Sequence, residues 1–203
     1  MSRYTGPRVK KMRALGTELP GLSVKKIEKR PYPPGQHGQA RKKISEYGRR
    51  LMEKQKLRYN YGLSESHLRR LVVEARGSKT AAGKKLLELI ERRLDNVVFR
   101  AGFARTIPAA RQLVCHGHIL VNGKRLDIAS YRVRMGDKIS VKPSHANSQT
   151  VEQGLSRADL PVAPWLDVAK EQREVVVKEL PDETSIMFTL DVQLVVEYYS
   201  QRL

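Results

Sequence analysis

Residues 105–126 read RTIPAARQLVCHGHILVNGKRL, and they predict a short helix directly followed by a tight hairpin. Thr106 has the side chain of a helix N-cap, and Gly117 is the residue type that ends a helix. Asn122-Gly123, between strands predicted at 118–121 and 124–128, is the strongest short signal for a two-residue type I′ turn. Cationic side chains crowd the predicted junction of helix and hairpin.

More strands follow this stretch. YRVRMGDKISVK at 131–142 predicts a second strand–turn–strand about Gly136-Asp137, and WLDVAKEQREVVVKEL at 165–180 predicts a further hairpin. Between them, 143–161 is polar and carries no assigned element. LDVQLVVEYYSQR at 190–202, capped by Asp191, predicts a final amphipathic helix. Nothing beside it in sequence can bury its apolar face, so we expect it to pack on the helices of 45–85.

Three helices are predicted before residue 105. SEYGRRLMEKQKLRYNYG at 45–62 starts at the N-cap Ser45 and ends near Gly62. Ser64 caps a second helix, which Gly77 closes and whose apolar stripe consists of Leu68, Leu71, Val72 and Ala75. A third helix is predicted from Thr80 through LLELIERRLDNVVFRAGF at 86–103. Its apolar face is wide enough to pack on two sides, which indicates a single helix shared by two domains.

Residues 1–44 lack helical or strand periodicity and are punctuated by proline and glycine, as in RPYPPGQHGQARKK at 30–43. Such a basic arm is compatible with disorder in the free protein. It is equally compatible with an arm that orders against RNA when its charges are matched.

The charge of the chain is large and unevenly distributed. Its net charge is +18, made up of +11 over 1–50, +12 over 51–142 and −5 over 143–203. A positive field of this size suits a polyanionic partner, because each neutralised phosphate releases condensed counterions. The single cysteine, Cys115, excludes an intrachain disulfide and fits a reducing compartment. With no signal-peptide core and no membrane-length apolar run, we expect a soluble intracellular protein.

Three chemical alternatives are weaker. GSKTAAGKK at 77–85 has the wrong glycine spacing for a phosphate loop and carries Lys85 where the magnesium-binding hydroxyl belongs. Glu91 and Asp95 lie among arginines at the spacing of ordinary helical ion pairs. No nucleophile–base pair is evident, so we predict that the chain is not an enzyme.

Cys115, His116 and His118 resemble part of a metal site, but no second ligand pair accompanies them. We expect Cys115 to be a buried thiol on the inner face of its helix. For the two histidines, one packed and one solvated ring is as plausible as contact with RNA.

A nucleic-acid surface explains the stretch better. Arg105 at the helix N-terminus places charge and backbone donors where a phosphate binds, and Arg111 follows on the same helix. The hairpin tip adds Lys124 and Arg125 on a rigid turn. Folded RNA is recognised by such shaped cationic surfaces.

The residues around this helix and hairpin carry a resemblance to a known family. RLDNVVFRAGFA at 93–104 and ARQLVCHGHILVNGKRLDIASYRVRMGDKISV at 110–141 resemble the RNA-binding module of the ribosomal small-subunit protein four family. RYTGP at 3–7, RPYPPGQHG at 30–38, the helix at 45–62 and LVVEYYS at 194–200 extend the resemblance over nearly the whole chain.

The resemblance implies a structural protein that binds small-subunit ribosomal RNA early in assembly, at a multi-helix junction of the 5′ domain. It also implies a part in the messenger RNA entry path and in translational accuracy, with ribosomal small-subunit proteins three and five as neighbours. Many bacterial members carry four arm cysteines that hold zinc. Residues 8–30 here contain none, so no metal or other cofactor is expected, and local packing by Met12, Leu15, Leu19, Leu22 and Ile27 is expected instead. Ala129 replaces a proline usual in the family.

We therefore predict an α+β protein with a basic extended N-terminal arm (1–44), a helical domain closed by the C-terminal helix (45–91 plus 185–203), and an inserted helix-plus-antiparallel-sheet RNA-binding module (92–184, core 93–142). The predicted RNA contacts are cations and one histidine: Arg3, Arg8, Lys10, Arg41, Lys42, Lys43, Arg49, Arg50, Arg69, Arg70, Arg93, Arg105, Arg111, His116, Lys124 and Arg125. Tyr4, Tyr32 and Tyr47 are candidate stacking residues, and Tyr47 could instead belong to the helix core.

The expected location is the cytoplasm, on the ribosome, and the cysteine-free arm leaves a chloroplast stroma as the alternative. The alternative function is a stand-alone RNA-binding regulator or ribosome-associated factor. An RNA-modifying enzyme or a synthetase can carry the same module, but the helices here leave no room for a catalytic domain.

Overall fold

The computed structural model describes residues 4–40, 43–157 and 160–200. The chain divides into two compact units, one formed by residues 1–86 with 186–203 and the other by residues 87–185. The second unit is thus inserted into the first. The predicted α+β class is confirmed.

Eight α-helices and five strands lie in the described residues. The helices are α1 (Arg8–Leu15), α2 (Glu46–Asn60), α3 (Glu65–Arg76), α4 (Ala82–Glu91), α5 (Leu94–Arg100), α6 (Ile107–Cys115), α7 (Gln149–Leu155) and α8 (Val192–Ser200). The strands are β1 (Ile119–Val121), β2 (Lys124–Arg125), β3 (Lys138–Val141), β4 (Leu166–Ala169) and β5 (Glu174–Val177). None of these helices combines the length and apolar composition needed to cross a bilayer.

The N-terminal arm contains a helix that the sequence analysis did not predict. α1 ends at Gly16, which takes the left-handed conformation with φ 62°. Its buried residues Met12 and Leu15 form a small core with Leu19 and Leu22, against which Ile27 and other partly buried side chains pack. The expected local packing is confirmed, whereas disorder of the described part of the arm is not what the structure shows.

The first unit is closed by the C-terminal helix, as predicted. Ser45 and Ser64 accept backbone hydrogen bonds at the starts of α2 and α3. Asp191 caps α8 by accepting from the Leu194 amide at 3.3 Å. Arg50 on α2 donates to Glu197 on α8 at 3.0 Å, so α8 is held to α2 by an ion pair as well as by the contact between the Tyr47 and Tyr198 rings.

A second polar contact holds α8 to α3. The Tyr199 hydroxyl donates to Glu65 at 2.7 Å, and the buried Lys54 ammonium donates to the same carboxylate at 2.9 Å. Burial raises the pKa of Glu65, but the hydrogen bonds from Tyr199 and Lys54, together with the charges of Lys54 and Arg58, lower it by more, so the pKa lies below its ordinary value. Burial and the Glu65 carboxylate raise the pKa of Tyr199.

We expect Tyr199→Phe to destabilise the protein by about 1.5–3 kcal/mol at neutral pH, because a hydrogen bond to a charged acceptor is lost. The pKa of Glu65 is lowered in the fold, so its contribution is present above the unfolded pKa and is lost as the pH falls through the folded pKa. The difference between wild type and variant should therefore shrink in acid. Urea unfolding followed by circular dichroism at pH 7 and pH 3.5 measures it.

Tyr131→Phe, a half-buried tyrosine in the other unit, is the matched control. A Tyr199→Phe cost that stays the same at both pH values would show that the Glu65 charge is not what the hydroxyl stabilises.

The prediction of one long helix over 80–103 is wrong. The chain leaves the helix after Glu91, and Arg93 has an extended conformation with ψ 138° before α5 begins. Arg93 pairs with Arg132 in an isolated antiparallel bridge, and the Leu94 and Asp95 amides donate to the carbonyls of Tyr131 and Ala129. Tertiary hydrogen bonds to the 129–133 segment thus replace the helical ones.

The same pairing explains why the first half of the strand–turn–strand predicted at 131–142 does not join the sheet. The second half does form a strand, β3, which follows a turn at Gly136 with φ 83°. The sheet is antiparallel throughout, in the order β2-β1-β3-β5-β4. The polar stretch without an assigned element contains α7.

Candidate nucleic-acid interface

The helix and hairpin of 105–126 form as predicted. The Thr106 hydroxyl accepts from the Ala109 amide at 3.4 Å, and α6 runs to Cys115. His116 follows the helix and Gly117 turns the chain with φ 72°. The Arg125 guanidinium lies against Gly117 so closely that a Cβ atom there would collide with it. Glycine at 117 is thus favoured by its left-handed backbone conformation, whereas the exposed Arg125 side chain could move away from a Cβ atom at little cost.

The tip of the hairpin is rigid. Asn122 and Gly123 both have positive φ, 51° and 77°, as a type I′ turn requires. The Asn122 amide donates to Asp137 at 2.9 Å and accepts from the Lys138 backbone amide at 2.9 Å. Lys124 and Arg125 therefore project from a turn that is tied to the start of β3. Sequence analysis did not identify the role of Asp137, whose partner lies 15 residues away.

A charged cluster centred on the buried Asp95 joins α5 to α6. Its carboxylate accepts from Arg93 at 3.0 and 2.9 Å and from Arg111 at 2.9 and 2.6 Å. The exposed fractions of the Asp95, Arg93 and Arg111 side chains are 1%, 5% and 12%. The structure thus gives both predicted RNA-binding arginines an internal partner and joins α5 to α6 through Asp95.

The prediction that Glu91 and Asp95 lie on one helix, at the spacing of helical ion pairs, is wrong, because the break at Arg93 places Glu91 on α4 and Asp95 on α5. Glu91 is buried at the end of α4 and accepts from the Asn96 side-chain amide at 2.9 Å. The Arg100 guanidinium lies 3.9 Å from it. These groups support the module from within.

The expectation of a buried thiol at Cys115 is wrong: the side chain is exposed. The inner face of α6 carries Ile107, Ala110, Leu113 and Val114. His116 is exposed and His118 is half-buried. Among the described residues, no group of three or more histidine, cysteine, aspartate and glutamate side chains is arranged to hold a metal ion.

The predicted cations of the first unit divide into three groups. Arg3, Arg41 and Lys42 lie outside the described residues. Arg50 is paired with Glu197 and Glu46. The remaining ones are exposed on the arm, α2 and α3: Arg8, Lys10, Lys43, Arg49, Arg69 and Arg70.

The three candidate stacking tyrosines differ in their surroundings. Tyr4 meets Tyr59 edge-on at 5.3 Å between ring centroids, and Lys11 lies beside both rings. Tyr32 is covered by the Arg13 guanidinium at 5.1 Å. Tyr47 is 45% exposed and lies 5.9 Å from Tyr198, so it does not belong to the helix core.

In the second unit, Arg105, Lys124 and Arg125 are exposed. Arg105 approaches the Gln153 side chain at 3.5 Å. Within the described part of the chain, Lys124 and Arg125 take part in no ion pair, in contrast to Arg93 and Arg111.

Two family models match the chain. Residues 3–91 match the ribosomal protein S4/S9 N-terminal domain, and residues 92–139 match the S4 domain. The boundary between the two matches lies at the break between α4 and α5.

Full-length relatives agree with these matches. The chain is 56% identical to the small ribosomal subunit protein uS4 of Methylobacillus flagellatus and 51% identical to that of Synechococcus elongatus, with all of both chains covered. It is 48% identical to the uS4 protein of Mycobacteroides abscessus over 99% of this chain and all of the relative.

Proposed function

Because the chain belongs to the uS4 family of small ribosomal subunit proteins, we propose that it binds a multi-helix junction in the 5′ domain of small-subunit ribosomal RNA and nucleates assembly there. Membership of this family makes it a structural ribosomal protein that binds ribosomal RNA, and not an enzyme. The resemblance given in the sequence analysis motivates the finer assignment to one RNA junction.

The observation that carries the proposal is the distribution of exposed cations over both units. Lys10, Arg49, Arg69 and Arg70 are exposed in the first unit, and Lys124 and Arg125 project from the rigid hairpin in the second. A cation without a carboxylate partner is free to neutralise a phosphate. Arg93, which is buried, and Arg111, which is half-buried, contribute differently in this proposal, because they fix the angle between α5 and α6.

Further parts of the proposal follow from the family. The chain lines the messenger RNA entry path, supports translational accuracy and contacts ribosomal small-subunit proteins three and five. It acts on the ribosome in the cytoplasm, and the chloroplast stroma is the alternative location. In this proposal the arm, the helical domain and the RNA-binding module at 1–44, 45–91 plus 185–203 and 92–184 dock as separate parts.

Binding of the full chain to the 5′-domain junction RNA, compared with transfer RNA across a salt series, tests the proposal. We expect at least a tenfold preference for the junction that persists at about 200 mM salt, because shape-specific contacts remain when the electrostatic contribution is screened. Equal affinity for the two RNAs, lost together as salt rises, would contradict it.

A second measurement distinguishes a structural ribosomal component from the alternative function, a stand-alone regulator or ribosome-associated factor. Small subunits are sedimented in high salt, where a structural component stays bound and a transient factor is released.

A further inference from the structure

Three of the five histidines of the chain, His116, His118 and His145, lie close together in the second unit. Gly117 reverses the chain after α6, so the His116 and His118 rings lie 5.9 Å apart between centroids. The Lys142 backbone amide donates to the His118 carbonyl at 2.8 Å. A 3-10 turn at Pro143–His145 then brings the His145 ring onto the His118 ring, with 3.5 Å between centroids and 17° between planes.

The groups around these rings are mostly cationic. Arg125 on β2 lies against Gly117, and Lys142 follows β3. The Ser144 hydroxyl lies 3.4 Å from His145 Nδ1. The β4–β5 hairpin reaches the same region through Arg173, whose Nε donates to the Ala146 carbonyl at 3.4 Å.

Two of the acids on the β4–β5 hairpin, Glu171 and Glu174, line the neighbouring groove. Glu174 is paired with Lys138 at 2.7 Å, and Glu171 lines the groove with Ala146, Asn147 and Arg173. Burial lowers the pKa of His118, and the neighbouring His145, His116, Lys142 and Arg125 lower it further. The His118 ring, stacked face to face on His145 among these cations, is therefore best accommodated as a neutral ring at pH 7.

We propose that His116, His118 and His145 form a proton-linked phosphate-binding site within the RNA interface. The inference rests on the proposed RNA binding of the chain. In the free protein the His118 ring is neutral. A phosphate beside the three rings, also contacted by Arg125 and Lys142, favours the charged form of His118, so binding takes up a proton from solution.

The direction of the pH dependence follows from linkage. A group whose pKa is higher in the complex than in the free protein makes binding tighter as the pH falls between the two pKa values. For histidine this window lies around pH 6.5. Each proton taken up changes the affinity by up to about tenfold per pH unit.

The test compares the full-length protein with the variant in which all three histidines are glutamine, which does not titrate. Wild type should bind the 5′-domain junction RNA roughly tenfold more tightly at pH 6.0 than at pH 7.5, at constant ionic strength. The triple variant should change by less than about twofold. His67→Gln, on α3, is the matched control and should keep the wild-type dependence.

Calorimetry of the wild type at pH 6.5 in PIPES and in bis-Tris gives the number of protons taken up and does not depend on any variant folding. We expect uptake of about one proton or more for each RNA molecule bound. No proton uptake, or the same pH dependence in the triple variant, would overturn the inference while leaving RNA binding intact. Failure of wild type to prefer the junction over transfer RNA at pH 7.5 would instead contradict the proposed function.

Discussion

Asp95→Asn should destabilise the second unit by about 3–5 kcal/mol, because it removes the buried carboxylate shared by the buried Arg93 and the half-buried Arg111 guanidinium groups. Arg93 and Arg111 each donate two hydrogen bonds to Asp95, and no more than 12% of any of the three side chains is exposed. The asparagine side chain has nearly the same shape, so the loss reports the charge rather than a cavity. Urea unfolding followed by fluorescence of Trp165, the only tryptophan of the chain, measures it.

Trp165 is buried in the same unit, so its fluorescence follows the unfolding of residues 87–185. Asp127→Asn is the matched control: the same change of charge at an exposed aspartate should alter stability by no more than about 0.5 kcal/mol. A cost below about 1 kcal/mol for Asp95→Asn would show that water or another group compensates both arginines, and that the cluster does not hold α5 to α6.

The surroundings of Asp95 also show a structural feature that the sequence did not predict, the helix break at Arg93. The spacing of Glu91 and Asp95 is that of an i, i+4 pair, and the apolar pattern of 86–103 continues through Arg92 and Arg93. Local pattern alone therefore predicts one helix. What breaks it is the pairing of Arg93 with Arg132 and of Leu94 with Tyr131, contacts between residues almost 40 positions apart. Helix propensity is a weak preference that tertiary hydrogen bonds override.

The hairpin at 118–125 was predictable because its signal is local. Asn122-Gly123 supplies the two positive φ angles by itself. The arm was predictable only in part: the sequence indicates which of its apolar residues pack together, but it does not predict the helix α1. Its low helical periodicity reflects a helix that buries only Met12 and Leu15. The exposure of Cys115 was missed because the residue lies in the last turn of α6, one position beyond the inner face.

The double variant Lys124→Gln/Arg125→Gln should weaken binding to the 5′-domain junction RNA by on the order of ten- to a hundredfold at low salt. In the proposed complex both cations meet phosphates from a turn whose backbone Asn122 and Asp137 already hold in place, so this backbone needs no further ordering on binding. The slope of log affinity against log salt should become shallower by about 1.4–1.8, which is the loss of two phosphate contacts. Filter binding at five salt concentrations gives both quantities.

Lys138→Gln/Lys178→Gln is the matched control, since it removes the same charge from the same unit. These lysines are already paired, Lys138 with Glu174 at 2.7 Å and Lys178 with Asp167 at 3.1 Å. A carboxylate-paired cation releases fewer counterions from RNA, so the control should leave the salt slope within about 0.5 of the wild-type value. If both double variants reduce the slope equally, net charge rather than the hairpin determines binding, and the shaped surface at 105–126 is not the RNA contact.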